Sequence, residues 1–222
     1  MNATDRLLTA FPLYSADLKI DLSQPSGRFH WFLASLLFGA RISEKIACKT
    51  FRAFLEKGID TPEGILMVGW DRLVGVLDAG GYVRYDFSTA TKLINIMSTL
   101  LERYGSLDEL RRQSADTRDL ENRLMEFKGV GPVTVQIFLR EMRGVWEINP
   151  EVSSRAQEAA KCLGIDLGEL SGELLSRVET ALVKLHLRCC KKKRCLQCQI
   201  SEFCSCRSAL QGSADACMQE DQ

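Results

Sequence analysis

Leu93, Ile96, Met97, Leu100, Leu101 and Tyr104 fall at three- and four-residue steps, so a helix over this stretch gathers them on one apolar face. Ser88 precedes the run in the place of an N-cap. Leu174, Val178, Leu182, Val183 and Leu185 repeat the pattern and predict an amphipathic helix that delivers Cys189. Trp31 to Phe38 is apolar almost throughout and is followed by Arg41 and Lys45, so it reads as a core helix too short to cross a bilayer. Thr61-Pro62-Glu63 predicts a helix start, with Pro62 pre-set for the first turn and Glu63 near the positive end of the dipole. Gly80-Gly81, Gly105 and Gly144 predict helix ends. No alternating run of useful length is present, and the pattern predicts an all-α chain.

Two of the helical runs lie unusually close together. Asp119 to Phe127 places Leu120, Leu124 and Phe127 on one face, and Val133 to Met142 does the same with Val133, Ile137, Phe138 and Met142. Only Lys128-Gly129-Val130-Gly131 and Pro132 separate them, which demands a tight reversal. Gly129 and Gly131 can both take positive φ and leave no side chain between the backbone and a partner. The first-turn amides of a helix opening at Pro132 lie free at its positive end, an arrangement that suits a phosphate oxygen. A plain helical corner with glycine for geometry accounts for a lone G-x-G equally well.

The longer pattern, apolar-x-G-V-G-P-x-T and ending at Thr134, resembles the hairpin of the helix-hairpin-helix DNA glycosylases of the endonuclease III type. "FLASLLFGARISEKIACKT", from Phe32 to Thr50, is similar to the family's early helix and the turn after it, which contribute to the lesion pocket. "AGGYVRYDFSTATKLINI" is similar to its G-x-Y/F-x-x-K-A-x-x-I region, with inserted residues, and "LHLRCC" resembles the L-H-G-x-x-x-C run that leads into its iron–sulfur loop. The match spans Phe29 to Cys206. The resemblance implies an all-α, two-lobed fold. One lobe, a helical barrel over residues 29–140, would include the helix-hairpin-helix (119–142). The other would join residues 1–28 to 141–206 and carry the cysteine loop (189–206). Residues 207–222 are polar and aperiodic and read as a flexible tail. The implied partner is double-stranded DNA, damaged or mismatched, lying across a cleft and gripped by Lys128, Gly129, Val130, Gly131 and Thr134. Arg41 stands where the family often has a glutamine that fills the gap left by a flipped base.

Six of the nine cysteines fall between Cys189 and Cys206, which points to metal rather than to a secreted disulfide framework. Taken alone, four thiolates hold zinc about as readily as iron. Cys195-x2-Cys198-x5-Cys204 is similar to the last three ligands of the family's [4Fe–4S] cluster. The family leaves six residues before the next cysteine, whereas Cys189 leaves five and Cys190 four. The resemblance therefore implies a [4Fe–4S] cluster on Cys189, Cys195, Cys198 and Cys204, with Cys190 or Cys206 as substitutes. Cys48 and Cys162 read as core residues. Lys191, Lys192, Lys193 and Arg194 fill the shortened first loop, and a loop pinned by a metal centre loses little entropy on meeting phosphates. With Lys184, His186 and Arg188 they form one dense basic segment.

A glycosylase flips a nucleotide from the stack and stabilises positive charge on the sugar as the base leaves. In the resembled family the lyase lysine lies two residues after the second hairpin glycine, and here that position is Val133. An apolar side chain carries no imine, so no Schiff-base lyase is expected by that route. The catalytic aspartate's segment corresponds to "WEINPEVSSRAQEAAK". Counting back from Arg155 puts Pro150 in the aspartate's place, while the local shape puts Asn149 there. Glu147 and Glu151 flank it and are the nearby carboxylates able to substitute. The expectation is a monofunctional DNA N-glycosylase, or else a catalytically silent binder of damaged or distorted DNA.

Composition alters this picture little. Lysine plus arginine equals aspartate plus glutamate, 29 each, which argues against a protein that coats nucleic acid indiscriminately. Asp5 and Arg6 precede only a short apolar patch broken by Pro12, so no signal peptide is read at the N-terminus. A cytoplasmic monomer that avoids membranes is expected, nucleoid-associated if the source is bacterial or archaeal.

Overall fold

Small polar caps and prolines at first turns set most of the helix starts in the structure, a computed structural model that describes Asn2 to Ser205. Asn2 opens α1 (Ala3–Ala10) with a capping box closed by Asp5, and a single turn, α2 (Tyr14–Asp17), follows. Next come α3 (Pro25–Phe38) and α4 (Glu44–Glu56), whose cap Ser43 accepts from the Ile46 amide. Thr61 caps α5 (Pro62–Gly80) through the Gly64 amide, as the sequence predicts. Then follow α6 (Asp86–Arg103), α7 (Leu107–Arg112) and α8 (Thr117–Met125). The series ends with α9 (Pro132–Met142), α10 (Ser154–Leu163) and α11 (Gly172–Arg188). Three 3-10 turns, Cys190–Lys192, Cys195–Gln197 and Ser201–Phe203, complete the described chain. Every regular element among the described residues is helical, so the chain is all-α. Among them no helix is long and apolar enough to cross a membrane. Residues 207–222, read above as a tail, lie outside the described residues, as does Cys206.

One start differs from the expectation. Helix α6 begins at Asp86 rather than after Ser88, with Tyr85 as its N-cap. Ser88 sits inside the first turn and donates its hydroxyl to the Tyr85 carbonyl, 3.0 Å away. The face read from the sequence is buried as expected, with Leu93, Ile96, Met97 and Leu100 fully covered.

The chain divides into two compact units, a contiguous one from Ser15 to Pro150 and one that joins the residues up to Tyr14 to those from Glu151 onward. These boundaries lie outside the expected 29–140 for a local reason. Glu141 accepts a hydrogen bond from the Ser15 amide (2.9 Å), and Arg143 donates to Asn149 Oδ1 (2.7 Å) and the Pro150 carbonyl (3.0 Å). Both flanks are thereby tied into the contiguous unit.

In that unit α3 packs on α4 and α9, and α5 runs against α4 and α6. Phe32 of α3 meets the rings of Phe127 and Phe138 of the hairpin, and Trp31, Leu33 and Leu37 of the same helix are fully buried. The Trp31 indole donates to the Phe138 carbonyl at 3.0 Å, so the bulkiest core side chain leaves no orphan donor. The second unit packs α1 and α10 on α11. Leu7, Phe11, Ala156, Ala160, Val178, Ala181, Leu182 and Ile200 form its core. Lys184 belongs to this core and not to the surface basic segment: its ammonium donates to the Pro12 carbonyl and lies 4.1 Å from the Tyr14 ring centre.

Candidate nucleic-acid interface

The reversal between α8 and α9 is built by two glycines with different duties. Gly129 has φ +87°, the left-handed region, and a β-carbon there would press within 3.2 Å of the Lys92 side chain. Gly131 does not share this conformation, contrary to the sequence expectation. Its φ is −110° and ψ 174°, an extended N-cap open to any residue. A β-carbon at Gly131 would meet nothing within 4 Å. The protein's own packing therefore makes no demand for glycine at 131, and what glycine provides there is bare backbone facing outward. Pro132 has no amide hydrogen, and the amides of Gly131, Val133 and Thr134 have no acceptor among the described residues. These donors gather at the positive end of α9, where an anion is favoured.

Side chains of the hairpin divide between core and surface. Lys128 is exposed, as is Val133 at 52%. Val130 is buried, and so is Thr134, whose hydroxyl fills the space that a β-carbon at Gly39 would need. The side chains of Val130 and Thr134 thus pack inward, and only their backbone is available to a partner. Arg41 is exposed in the turn after α3.

Beside the hairpin lies a pocket of about 370 Å³ that sequence reasoning missed. Leu36, Tyr82, Tyr85, Lys92, Lys128 and Gly129 are among its walls. No aspartate or glutamate lines it. The Tyr82 hydroxyl is spent on the Leu37 carbonyl at 2.7 Å, and burial drives its pKa well above the usual phenol value. Burial also lowers the pKa of Lys92, which has no hydrogen bond or ion pair among the described residues. The signal that marks this wall is faint: Ser88, Thr91, Lys92 and Asn95 are the polar side of the same α6 pattern whose apolar side announced the helix.

In the second unit the end of α11 and the 3-10 turns bring together Cys189, Cys190, Cys195, Cys198 and Cys204, all as free thiols. With Ala159, Leu163, Leu185 and Ile200 they line one void, which Cys162 also borders. Burial raises the Cys190 thiol to about 11, with further opposition from Cys198, Cys204, Cys189 and Cys195. Among the described residues no three His, Cys, Asp or Glu side chains are placed to hold one metal ion. Tetrahedral zinc would need four sulfurs about 3.8 Å apart, given Zn–S bonds of about 2.3 Å. A four-iron cube offers one iron to each thiolate and accepts a wider ring of cysteines. Five free thiols are thus gathered around one void among the described residues. Lys191, Lys192, Lys193 and Arg194 are exposed, and Lys193 holds φ +53°.

The carboxylates read as catalytic substitutes occupy open positions. Glu147 is exposed in a left-handed conformation (φ +49°), and Glu151 is exposed. Neither lines the pocket beside the hairpin. Asn149 is a joint: its side-chain oxygen accepts from buried Arg143, and its amide donates to Thr117 Oγ1 at 3.2 Å.

No family model matches the chain, and no curated protein matches it. Among solved structures the chain is similar to the 3-methyladenine DNA glycosylase MagIII of H. pylori, crystallised bound to 1,N6-ethenoadenine. The two are 14% identical with a TM-score of 0.49, over 85% of this chain and 98% of that one.

Proposed function

We propose that the chain is a DNA N-glycosylase of base-excision repair, which removes a damaged or mismatched base from double-stranded DNA and leaves the abasic site uncut. The observation that carries this reading is the hairpin. Gly131 is glycine with no internal need for it, and it exposes unpaired amides at the positive end of α9. The resemblance of the surrounding motif to the endonuclease III type supplies the reaction class. Val133 offers no amine at the hairpin, hence the absence of strand cutting by that route.

Lys191 to Arg194 would provide a second set of phosphate contacts. A [4Fe–4S] cluster on Cys195, Cys198, Cys204 and Cys189, with Cys190 able to replace Cys189, would hold that loop in shape. Its part would be structural. As the glycosidic bond breaks, positive charge grows on the sugar, and Glu151 or Glu147 would stabilise it and accept a proton from the attacking water.

A panel of duplexes, each with one damaged or mismatched base, tests the reading. Base release is expected from at least one, with cleavage appearing only after hot alkali. Glu151→Gln should abolish release while sparing binding, with Glu147→Gln as the comparison. Tight binding of distorted duplexes with no release from any member would replace the enzyme with a silent binder.

A further inference from the structure

The contiguous unit carries an exposed aromatic pair that the hairpin does not account for. Trp70 is 39% exposed and Phe87 60%, and their ring centres lie 5.4 Å apart with planes tilted by 31°. Val83, close by in sequence, is also exposed. The indole is not free to swing. Its Nε1 donates to Thr91 Oγ1 at 3.0 Å, and that hydroxyl donates in turn to the Phe87 carbonyl at 3.0 Å. The polar edge of Trp70 is thus satisfied from within, and what it offers outward is a fixed apolar ring.

Thr91 also lines the pocket that holds Lys92 and Lys128, so aromatic pair and pocket share a wall. The cations in that pocket lack counter-charges among the described residues, and no carboxylate faces them. Tyr85 lines it as well, with the Arg84 guanidinium 5.7 Å from its ring centre. An apolar protein partner would have no use for uncompensated lysines here. A polyanion with stackable rings uses both. In a duplex each base face is covered by its neighbours, so only an unpaired base has a face to give to Trp70 or Phe87.

We propose that Trp70 and Phe87, together with the pocket of Lys92 and Lys128, form a binding site for single-stranded DNA, with an unpaired base stacked on the rings and the adjoining phosphates on the lysines. This rests on the reading of the chain as a DNA-binding protein and adds a strand that is not paired to the substrate it recognises. The hairpin's Lys128 and Gly129 border the same pocket, so an unpaired strand held here continues from the hairpin contact.

The test is a titration of the full chain with a short undamaged oligothymidine, followed by tryptophan fluorescence and by anisotropy of a labelled strand. Phe87→Ser and Trp70→Leu should each raise Kd for the single strand about tenfold, as loss of one stacking platform does. Their Kd for an undamaged duplex of matched length should stay within about twofold. Lys92→Gln combined with Lys128→Gln should flatten the salt slope by roughly 1.4, about 0.7 per phosphate on a single strand. Single-strand binding that is unchanged in both ring variants overturns the proposal, as does an equal loss for duplex and single strand. Base release plays no part in this assay. If damaged duplexes lose a base while the ring variants bind single strands normally, this inference fails and the glycosylase reading stands. If no base is released while ring-dependent binding persists, the reverse holds.

Discussion

At the residue scale Lys92 sets function against stability. Burial disfavours its ammonium, so its folded pKa lies below the ordinary 10.5. At any pH below that folded value the native state bears a cost here, which fades as pH climbs from the folded pKa toward 10.5. Lys92→Met keeps the stem that packs on Gly129 and removes the charge. Its melting temperature at pH 7 should exceed that of the wild type, and the gap should close near pH 10.5. Calorimetry at both pH values checks this, and a wild type that is the more stable at pH 7 would contradict it. Residues of this kind were poorly legible in the sequence. Lys184 and Thr134 read as surface residues by type and are buried, because Pro12, Tyr14 and the bare backbone of Gly39 receive them from distant parts of the chain. No local pattern encodes such partners.

Among elements, the hairpin separates stability from binding. Gly129→Ala forces a β-carbon onto a left-handed backbone beside Lys92 and should cost roughly 1–3 kcal/mol, visible in urea unfolding. Gly131→Val meets no neighbour and no positive φ, so its unfolding midpoint should move little while duplex affinity falls at least several-fold. Equal effects of the two variants on stability would refute the division of labour. The cysteine turns carry their own expectation: protein purified without oxygen should be brown, with about four irons per chain. Cys198→Ser should lower iron content and loosen the second unit. Colourless protein with stoichiometric zinc would reassign the site. Elements were the level at which the sequence spoke most clearly. The α6 face, the Thr61 cap and the hairpin's two arms follow from periodicity and capping chemistry alone, whereas Gly131 was misjudged because glycine identity does not reveal which φ it adopts. The gathering of thiols was foreseeable from spacing, but the pocket beside α6 was not, since its walls come from three separate stretches of chain.

For the whole molecule, a net charge of zero means that the DNA affinity proposed above would come from local clusters and not from a general attraction. Reversing the charges of Lys191 to Arg194 should therefore weaken duplex binding strongly and flatten its dependence on salt, and an unchanged slope would exclude the cysteine loop from the contact. The second unit is assembled from both flanks of the contiguous one, with Leu7 and Phe11 of the N-terminal segment packed among residues 156 to 200. That has a consequence in time. During synthesis α1 emerges before the other described helices but has no partner until α11 has left the ribosome, while residues 15–150 already hold a complete core. Pulse-labelled hydrogen exchange during refolding should accordingly find amides of α3, α6 and α9 protected before those of α1 and α11. Cys189 to Cys204 follow the whole contiguous unit in the chain, so the cluster proposed for them would be assembled only after that unit's core.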